Sequence, residues 1–405
     1  MLARFLEGIR IADFTWAGAG PYATKLFSDF GAEVLKIESA VRSDPVRSGP
    51  PYKDGIKGLN RSGYFASRNN GKRSVSIDLK AERGRELARE LIAQSDIVAN
   101  NFGPSVMDKL GLGYDEVVKI KPDIIYLGMP MYGESGPLSP MLGVGMTIAA
   151  VAGLTDLTGY HDGPPLGAGT HFPDHAVNPY HGAFALLSAL RYRRLTGRGM
   201  RIDLSQVEST VNSVGVPFAQ WAMTGEPPAR IGNRSAHHVP HNVFRCKGDD
   251  SWCAVAVHTD TQWQALCLVM GRPDLAEDAA LTDADGRRVQ IDAIEQAVSE
   301  WAATLDKFDM MGLLQRAGVP AGAVESSRDL VEYDPQLRHR GYWQEIDHPE
   351  MGVTRFTSPP YLVDGERIEL TRPPLLGEHT EEVLSRVLGY GPGEISELHR
   401  NGVLR

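Results

Sequence analysis

The sequence contains little cysteine. Three cysteines, Cys246, Cys253 and Cys267, occur among 405 residues, and no two of them form a C-x-x-C pair. An odd number without paired spacing argues against a disulfide framework and against a structural zinc site. We therefore expect a protein of the reducing cytoplasm that holds no metal.

An excess of positive charge is also missing. The chain has 42 lysines and arginines against 51 aspartates and glutamates, which gives a net charge of −9. Proteins that bind nucleic acid need a concentrated positive surface for the phosphate backbone. We expect no nucleic-acid partner, although a local basic pocket for a phosphorylated small molecule is compatible with this composition.

No apolar run reaches the length of about 20 residues that a membrane-spanning helix needs. The first residues, MLARFLEGIRIADF, contain neither the uninterrupted apolar stretch nor the small-residue cleavage site of a secretion signal. We therefore expect no membrane association and a cytoplasmic location.

What the first 135 residues do contain is an alternation of short apolar runs with amphipathic runs. This alternation predicts an α/β fold, in which a mostly parallel sheet carries helices on both faces. A length of 405 residues also exceeds one ordinary core, so two domains are expected. The predicted strands are 9–15, 33–38, 74–78, 96–102 and 123–129, and the predicted helices between them are 21–31 and 81–95.

Beyond residue 135 the pattern predicts further helices and a hairpin, and the composition changes after Gly225. The hairpin pairs 243–248 with 252–258 across Asp249 and Asp250. The predicted helices are 182–194, 206–225, 261–270 and 288–317, and a return path to the first domain begins near residue 318.

Gly18, Gly20 and Ala23 fit the loose G-x-G-x-x-A pattern of a dinucleotide-binding turn, and Glu38 stands where such folds carry a ribose-binding acid. Pro21, however, removes one of the N–H donors that such a turn offers to a pyrophosphate. The pattern is equally typical of a tight strand-to-helix turn that needs small residues. Both interpretations stay open at this point, and the first of them describes an NAD-dependent oxidoreductase.

Asp174 lies between Pro173 and His175, directly before a strongly apolar helix. One interpretation is a helix N-cap, a position that aspartate favours. The other is a carboxylate nucleophile, kept ionised by the positive end of the helix dipole. His171, His175 and His181 crowd the same region and suggest a zinc site, but without an H-E-x-x-H motif we expect them to form hydrogen bonds or shape a substrate.

The order of these segments along the chain resembles the class III CoA-transferases of the CaiB/BaiF type. This family includes formyl-CoA:oxalate and carnitine CoA-transferases, and the resemblance runs almost end to end. The matching segments are GIRIADFT and AGP within 8–21, 31–38, 70–80, 101–104, 108–112, 132–137, the helix after Asp174 with 196–199, and 374–380.

The resemblance implies a Rossmann-like, doubly wound large domain built from both chain ends, and a smaller α+β domain. It places the large domain at 1–224, the small domain at 225–330 and the returning segment at 331–405. It further implies that two identical chains interlock into a homodimer, and that coenzyme A and acyl-CoA are substrates while no cofactor is tightly bound.

By the same resemblance, Asp174 is the catalytic residue of a CoA-transferase. It would carry an acyl anhydride and then a CoA thioester while CoA moves from an acyl-CoA donor to a free acid. The family's coenzyme A contacts fall on a loop beside the pantetheine arm and on positions farther along the chain. These residues are Ala17, Gly18, Ala19, Ile77, Lys80, Asn101, Phe102, Gly103 and Lys109.

The sequence departs from the family pattern at several positions. Gly18 replaces a glutamine of the oxalate-specific members, Ser39 an arginine that often grips the nucleotide, and Gly145 an acidic residue. A glycine-rich flap is missing as well, and 233–242, which contains His237, His238 and His241, stands in its place. These departures argue against oxalate as the acceptor.

Two alternatives remain inside this fold. An acyl-CoA racemase or epimerase needs a histidine base at the position occupied by Val144, which cannot accept a proton. A non-catalytic subunit of a heteromeric transferase is compatible with Gly18 and Gly145, although the presence of Asp174 counts against it.

Overall fold

The structure, a computed structural model, describes residues 4–405. The chain forms two compact units. The first contains the described residues up to Thr158, Leu166–Pro228 and Arg338–Arg405, and the second contains Gly159–Pro165 and Ala229–Leu337. The sequence places the boundaries after residues 224 and 330, and it does not separate 159–165 from the large domain.

A parallel sheet of six strands forms the centre of the first unit. Neighbouring strands are parallel throughout, in the order β3-β2-β1-β4-β5-β6. The short apolar runs of the sequence therefore become strands buried on both faces, as a parallel sheet requires. The strands are β1 (Arg10–Asp13), β2 (Glu33–Glu38), β3 (Arg73–Ser76), β4 (Ile97–Asn100), β5 (Ile125–Gly128) and β6 (Met200–Asp203).

Helices cover both faces of this sheet. Ile11 and Val34 belong to the core that packs against α1 and α7, whereas Leu35 and Val75 belong to the core that packs against α3. The α/β prediction with a central parallel sheet is confirmed. The helices are α1 (Ala19–Asp29), α2 (Gly63–Arg68), α3 (Glu82–Ala93), α4 (Val106–Lys109), α5 (Tyr114–Ile120), α6 (Gly145–Val151), α7 (Asn178–Thr196), α8 (Gln206–Asn212) and α9 (Gly215–Thr224). Short 3₁₀ turns occupy Pro45–Ser48 and Lys53–Gly55, and a π-helical turn occupies Pro173–Val177.

The second unit has an antiparallel sheet and its own apolar core around the fully buried Trp263. The predicted hairpin is confirmed, since Phe244 pairs with Cys253. The strands are β7 (His241–Arg245), β8 (Trp252–Ala256) and β9 (Ala321–Ala323); the helices are α10 (Asp260–Val269), α11 (Pro273–Glu277), α12 (Ala284–Val289), α13 (Ile291–Ala302) and α14 (Lys307–Arg316). A 3₁₀ turn occupies Ala279–Leu281 and a π-helical turn Asp329–Tyr333.

The last part of the chain returns to the first unit. Val383 and Leu384 of one helix and Ile395 and Leu398 of another enter the core beside α3. The elements are α15 (Pro335–His339), β10 (Trp343–Ile346), β11 (Thr354–Thr357), β12 (Leu362–Val363), β13 (Glu366–Arg367), α16 (Thr380–Leu388) and α17 (Pro392–Arg400).

Two predicted helices are interrupted. The prediction of one helix over 206–225 is wrong, because Val214 takes a non-helical conformation with φ −117° and ψ 33° between α8 and α9. Gly215, a poor helix former, follows it directly. The pattern over 288–317 divides where Asp306 caps a new helix, by accepting a hydrogen bond from the Phe308 N–H. None of the helices in residues 4–405 combines the length and apolar character that crossing a membrane requires.

Candidate active site

The carboxyl ends of β1 and β4 lie side by side at the middle of the sheet. From β1 the chain continues to β2 on one side, and from β4 it continues to β5 on the other. Such a reversal leaves a crevice outside the strand ends, which is where open α/β sheets bind ligands. The loop that follows β1 and the residues that follow β4 therefore mark the candidate site.

Asn101, directly after β4, holds the loop that follows β1. Its Oδ1 accepts a hydrogen bond from the Trp16 N–H at 2.8 Å, and its Nδ2 donates to the Trp16 carbonyl at 2.8 Å. Ala17 has a φ of +64°, an uncommon conformation for a residue with a side chain. Its N–H donates to Asp44 Oδ1 at 3.0 Å. The loop is thus fixed in a strained conformation, as binding loops often are.

Fully buried charges lie beneath this loop. Asp13 pairs with Lys72 at 2.9 Å, and Lys36 pairs with Asp44 at 3.0 Å. Lys36 Nζ also donates to the Thr15 carbonyl at 2.7 Å. Burial acts to raise the pKa of Asp13, but Lys72, Lys36 and the Thr15 hydroxyl outweigh it and hold that pKa below its usual value. Charged pairs therefore support the loop from below.

The surroundings of Gly20 and Glu38 distinguish the two interpretations of the G-x-G-x-x-A pattern. A Cβ on Gly20 would lie 2.6 Å from the Thr15 Cβ, so α1 approaches the loop too closely for a side chain. Glu38 is buried and fully engaged, with Arg47 at 2.7 Å and the Ser74 hydroxyl at 2.8 Å. It does not face a ribose site. The structure therefore favours the tight-turn interpretation over the dinucleotide one.

Asp174 lies in the π-helical turn that leads directly into α7, and its side chain is buried, with the residue 6% exposed. Its Oδ2 accepts a hydrogen bond from the N–H of Gly145, the first residue of α6, at 3.1 Å. A Cβ on Gly145 would lie 2.8 Å from that oxygen, and one on Gly18 would lie 2.9 Å from the Asp174 Cβ. Gly18 and Gly145, two of the departures from the family pattern, thus make room for this carboxylate.

The interpretation of Asp174 as an N-cap is wrong, because its carboxylate binds the N-terminus of α6 and makes no capping bond to its own helix. The stabilisation of its charge that a helix end provides is outweighed by burial. Burial raises the pKa of Asp174 above its usual value, although the Gly145 N–H and His171 partly oppose it. The carboxylate is poorly solvated and has little charge compensation.

Two histidines flank Asp174. His171 Nδ1 lies 3.7 Å from Asp174 Oδ2, and its side chain is partly exposed. His175 Nδ1 accepts a hydrogen bond from Arg68 Nη2 at 2.7 Å. Burial and the neighbouring Arg68 charge lower the pKa of His175 to about 4, so this imidazole is neutral at neutral pH. His181 lies exposed on α7. Within residues 4–405, no three histidine, cysteine or acidic side chains are grouped to hold a metal ion.

Most of the predicted coenzyme A residues follow carboxyl ends of strands. Ala17, Gly18 and Ala19 follow β1, and Asn101, Phe102 and Gly103 follow β4. The two groups meet, because the Phe102 ring packs edge-on against Trp16 with centroids 5.1 Å apart.

The other three predicted residues lie at separate positions along the chain. Ile77 follows β3 and its side chain is part of the core, so only its backbone is available to a ligand. Lys80 lies farther along the same segment and Lys109 ends α4; both side chains are exposed.

Sequence reasoning missed Arg42 and Arg68. The guanidinium of Arg42 lies 5.5 Å from the Trp16 ring centroid, and its backbone N–H donates to Ser39 Oγ. The cation that the family pattern places at residue 39 thus has a counterpart three residues later. The signal was present, because Arg42 is the first cation after Ser39 in the sequence. Arg68, 106 positions before Asp174, offered no such signal.

The segment 233–242, which stands in place of the glycine-rich flap, belongs to the second unit. His241 contacts the Asn233 carbonyl at 2.7 Å through Nδ1. The ring of His238 packs against His258, with centroids 4.3 Å apart. The histidines of this segment are therefore engaged with their own unit.

Comparison with known proteins gives one consistent result. The family described as CoA-transferase family III matches residues 6–380. A formyl-CoA:oxalate CoA-transferase of Streptomyces coelicolor is 32% identical over all of this chain and all of that protein. A succinyl-CoA:glutarate CoA-transferase of Mus musculus is 31% identical over 98% of this chain and 90% of that protein. The crystal structure of a CaiB/BaiF family protein from Brucella suis covers 94% of this chain and 99% of its own, with a TM-score of 0.86 and 29% identity.

Proposed function

The chain belongs to CoA-transferase family III and is a CoA-transferase, and from this premise we propose that Asp174 carries both covalent intermediates of the transfer. The substrates are an acyl-CoA donor and a free carboxylic acid acceptor. The observation that carries the proposal is the environment of the Asp174 side chain. It is buried beside Gly18 and Gly145, and its carboxylate accepts a hydrogen bond from one backbone N–H.

In the first half of the reaction, an Asp174 oxygen attacks the thioester carbonyl of the donor. The carbon–sulfur bond breaks, which gives an aspartyl-acyl anhydride and CoA thiolate. The thiolate then attacks the Asp174 side-chain carbonyl. The carbon–oxygen bond to the donor acyl group breaks, the donor acid leaves as a carboxylate, and Asp174 holds CoA as a thioester.

In the second half, the acceptor carboxylate attacks the aspartyl thioester and releases CoA thiolate. The thiolate then attacks the acceptor carbonyl of the new anhydride, which forms the product acyl-CoA and restores the Asp174 carboxylate. Each step exchanges one activated acyl bond for another of similar energy, so no external energy source is needed. Water must be excluded throughout, or the intermediates hydrolyse.

The surroundings of Asp174 suit both roles of its carboxyl group. A poorly solvated carboxylate has lost hydration that it would otherwise shed before attack. The Gly145 N–H points at an Asp174 oxygen at 3.1 Å, so it can stabilise negative charge on that oxygen when the thiolate attacks the side-chain carbonyl. Glycine at 18 and 145 keeps side chains away from the reacting carbon.

We propose that coenzyme A binds along the strand ends, with Ala17–Ala19 beside the pantetheine arm and Asn101–Gly103 beside them. Lys80 and Lys109 supply positive charge for the phosphates, since both are exposed on a chain of net negative charge. Replacing either lysine by alanine should raise the KM for acyl-CoA while kcat stays near the native value. An unchanged KM in both variants would remove these lysines from the site.

We further propose a homodimer of interlocked chains. The helix α9 has no buried residue, and its Val216 and Met223 are 81% and 85% exposed. Monomeric proteins rarely leave a continuous apolar face in water. A second copy of the chain would cover it, and sedimentation equilibrium should give twice the chain mass of 44.2 kDa. A single-chain mass at micromolar concentration would overturn this proposal.

The cytoplasm is the proposed location of the reaction. Cys246, Cys253 and Cys267 are all buried and unpaired, as in proteins that stay in a reducing compartment. Cell fractionation that finds the protein in an oxidising compartment would contradict this.

The racemase alternative receives no support from the site. Val144 directly precedes Gly145 and is 52% exposed, and its side chain offers no base.

The non-catalytic alternative predicts that Asp174 never becomes acylated. The experiment that separates it from the proposed function is therefore a direct search for the acylated side chain.

The native protein is incubated with acetyl-CoA or succinyl-CoA, and hydroxylamine is then added. We expect a hydroxamate on Asp174, located by mass spectrometry of the digested protein. Asp174→Ala should lose transfer activity by at least about 10⁴-fold, because it removes the attacking group, while it keeps the native circular dichroism spectrum and still binds CoA. Transfer by the alanine variant at the native rate would show that the assigned nucleophile is wrong.

A further inference from the structure

Arg68, the last residue of α2, is a partly buried cation without an anionic partner in contact. Its Nη2 donates to His175 Nδ1 at 2.7 Å and its Nη1 to Ser67 Oγ at 3.4 Å. Within residues 4–405, no carboxylate oxygen lies within 4 Å of its guanidinium. The Nε atom is buried and makes no hydrogen bond in this part of the chain. Removing a cation from water without pairing it is unfavourable, so this arrangement calls for an anion.

The Tyr22, Tyr64 and His175 side chains that contact Arg68 are uncharged at neutral pH. Its guanidinium carbon lies 4.8 Å from the Tyr22 ring centroid and 5.6 Å from the Tyr64 ring centroid. Burial raises the pKa of both phenols, so both stay protonated. His175 accepts a hydrogen bond from the guanidinium and is therefore the neutral tautomer with its proton on Nε2. These neighbours orient the guanidinium and leave its charge unbalanced.

The carboxylate of Asp174 acts on Arg68 only through space. This contribution disappears during the proposed reaction, because an anhydride or thioester of Asp174 carries no charge. The positive field of Arg68 is then greatest when the acceptor acid must bind. The field thus favours an anionic acceptor at the correct stage of the cycle.

The position of Arg68 shows which carboxylate it would hold. A series of contacts joins the two side chains, with His171 beside Asp174 and His175 beside Arg68. The ring centroids of the two histidines are 6.4 Å apart. The Arg68 guanidinium does not contact the Asp174 oxygens, so it can hold a carboxylate separate from the one that reacts at Asp174.

We propose that Arg68 binds the second, non-reacting carboxylate of a dicarboxylic acid, and so determines the class of acid that the enzyme accepts. The proposal rests on the function assigned to Asp174 above. A guanidinium suits this task because its planar donors match a carboxylate. The reacting carboxylate of the same molecule would then lie at the Asp174 carbonyl.

The test compares a dicarboxylic acid with its monomethyl ester, which has the same length and reactive end but lacks the second charge. Succinate and glutarate serve as acceptors beside their half-esters, with acetyl-CoA as donor. The native enzyme should prefer the diacid. Arg68→Gln should raise the KM for the diacid by about 10- to 100-fold, as expected for a lost hydrogen bond to a charged group. Its KM for the half-ester should not change, and Arg68→Lys should recover part of the diacid preference.

Equal losses for diacid and half-ester would assign Arg68 a structural role and overturn the proposal. So would an unchanged KM for both, or a native enzyme that prefers the half-ester. The hydroxamate on Asp174 separates this failure from failure of the proposed function. Its presence in the native protein and in Arg68→Gln shows that the covalent chemistry works whichever acid is bound. Should Arg68→Gln lose its native circular dichroism spectrum, Arg68→Lys carries the same diacid-to-half-ester comparison.

Discussion

Asp13 and Asp174 are both buried carboxylates of the first unit, but their surroundings shift their pKa values in opposite directions. Asp13 has Lys72 in direct contact, and its pKa is held below the usual value. Asp174 has one backbone N–H and a histidine 3.7 Å away, and its pKa is raised by burial. A cation in contact makes a buried carboxylate inert and structural. Without that cation, the carboxylate stays poorly stabilised, which suits the nucleophile role proposed for Asp174.

The same contrast separates a carboxylate that stabilises the fold from one proposed for catalysis, at a single edge of the sheet. The charge pairs around Asp13 hold the loop after β1 in place, and that loop supplies Gly18 beside Asp174. The first carboxylate contributes to the folded state, whereas the second is unfavourable there in its ionised form. Active sites commonly retain such unfavourable groups because the chemistry needs them.

Among tests of the contrast between Asp13 and Asp174, we expect Asp13→Asn to have the largest effect, a loss of stability. The change leaves Lys72 buried without its counter-charge, which should cost about 3–5 kcal/mol of unfolding free energy. Urea denaturation measures it. Asp123→Asn, which removes a partly exposed partner of Lys121, should change stability by less than about 1 kcal/mol. Equal urea midpoints for native protein and Asp13→Asn would show that the buried pair contributes nothing.

The second prediction concerns Gly145→Ala. The new methyl group would lie 2.8 Å from Asp174 Oδ2 and 2.8 Å from the His171 Cβ, so the carboxylate must move. We expect kcat to fall by about 100-fold, since a displacement near 1 Å at a reacting group has effects of this size. Gly393→Ala in α17, where a Cβ meets nothing within 4 Å, should keep native activity. If Gly145→Ala is fully active, the close approach has no catalytic importance.

The smallest effect is a gain in stability from Asp174→Asn. A folded-state pKa above the unfolded value means that ionised Asp174 destabilises the fold at neutral pH. Removing the charge should therefore stabilise the protein by about 0.5–1 kcal/mol at pH 7.5. The advantage should shrink as the pH falls through the raised pKa towards the ordinary aspartate value of 3.8. Urea midpoints at pH 7.5 and pH 4.5 give the comparison.

The contribution of Asp13 to the free energy of unfolding should depend on pH in the opposite direction. Its folded-state pKa is lowered, so its contribution is present above the unfolded value and is lost as the pH falls through the folded one. A stability difference between native protein and Asp174→Asn that grows on acidification would contradict the assigned direction.

The sheet and its helices could be predicted because their signals are local. The run Ile9 to Thr15, for instance, predicts β1 from its apolar character, and Leu87 and Leu91 mark the buried face of α3 from their spacing. The break at Val214 could not be predicted, since the apolar pattern continues through it.

The candidate site was predictable only in part, because its contacts join distant parts of the chain. Asp174 was identified through the resemblance to a family. Its bond to Gly145 spans 29 residues, and the bond from Arg68 to His175 spans 107. Neither spacing follows a helical or strand period, so periodicity gives no sign of them. The raised pKa of Asp174 was missed for the same reason, since burial depends on what the fold packs around it.

The π-helical turn at Pro173–Val177 sets the direction in which Asp174 points. A turn of this kind contains one more residue than a turn of the α-helix that follows it. Deleting a single residue there would restore the regular winding and swing everything before it by about 100° around the helix axis. The Asp174 carboxylate would then face away from Gly18 and Gly145, while α7 and its buried side remained as they are. The orientation of the Asp174 carboxylate therefore depends on one inserted residue.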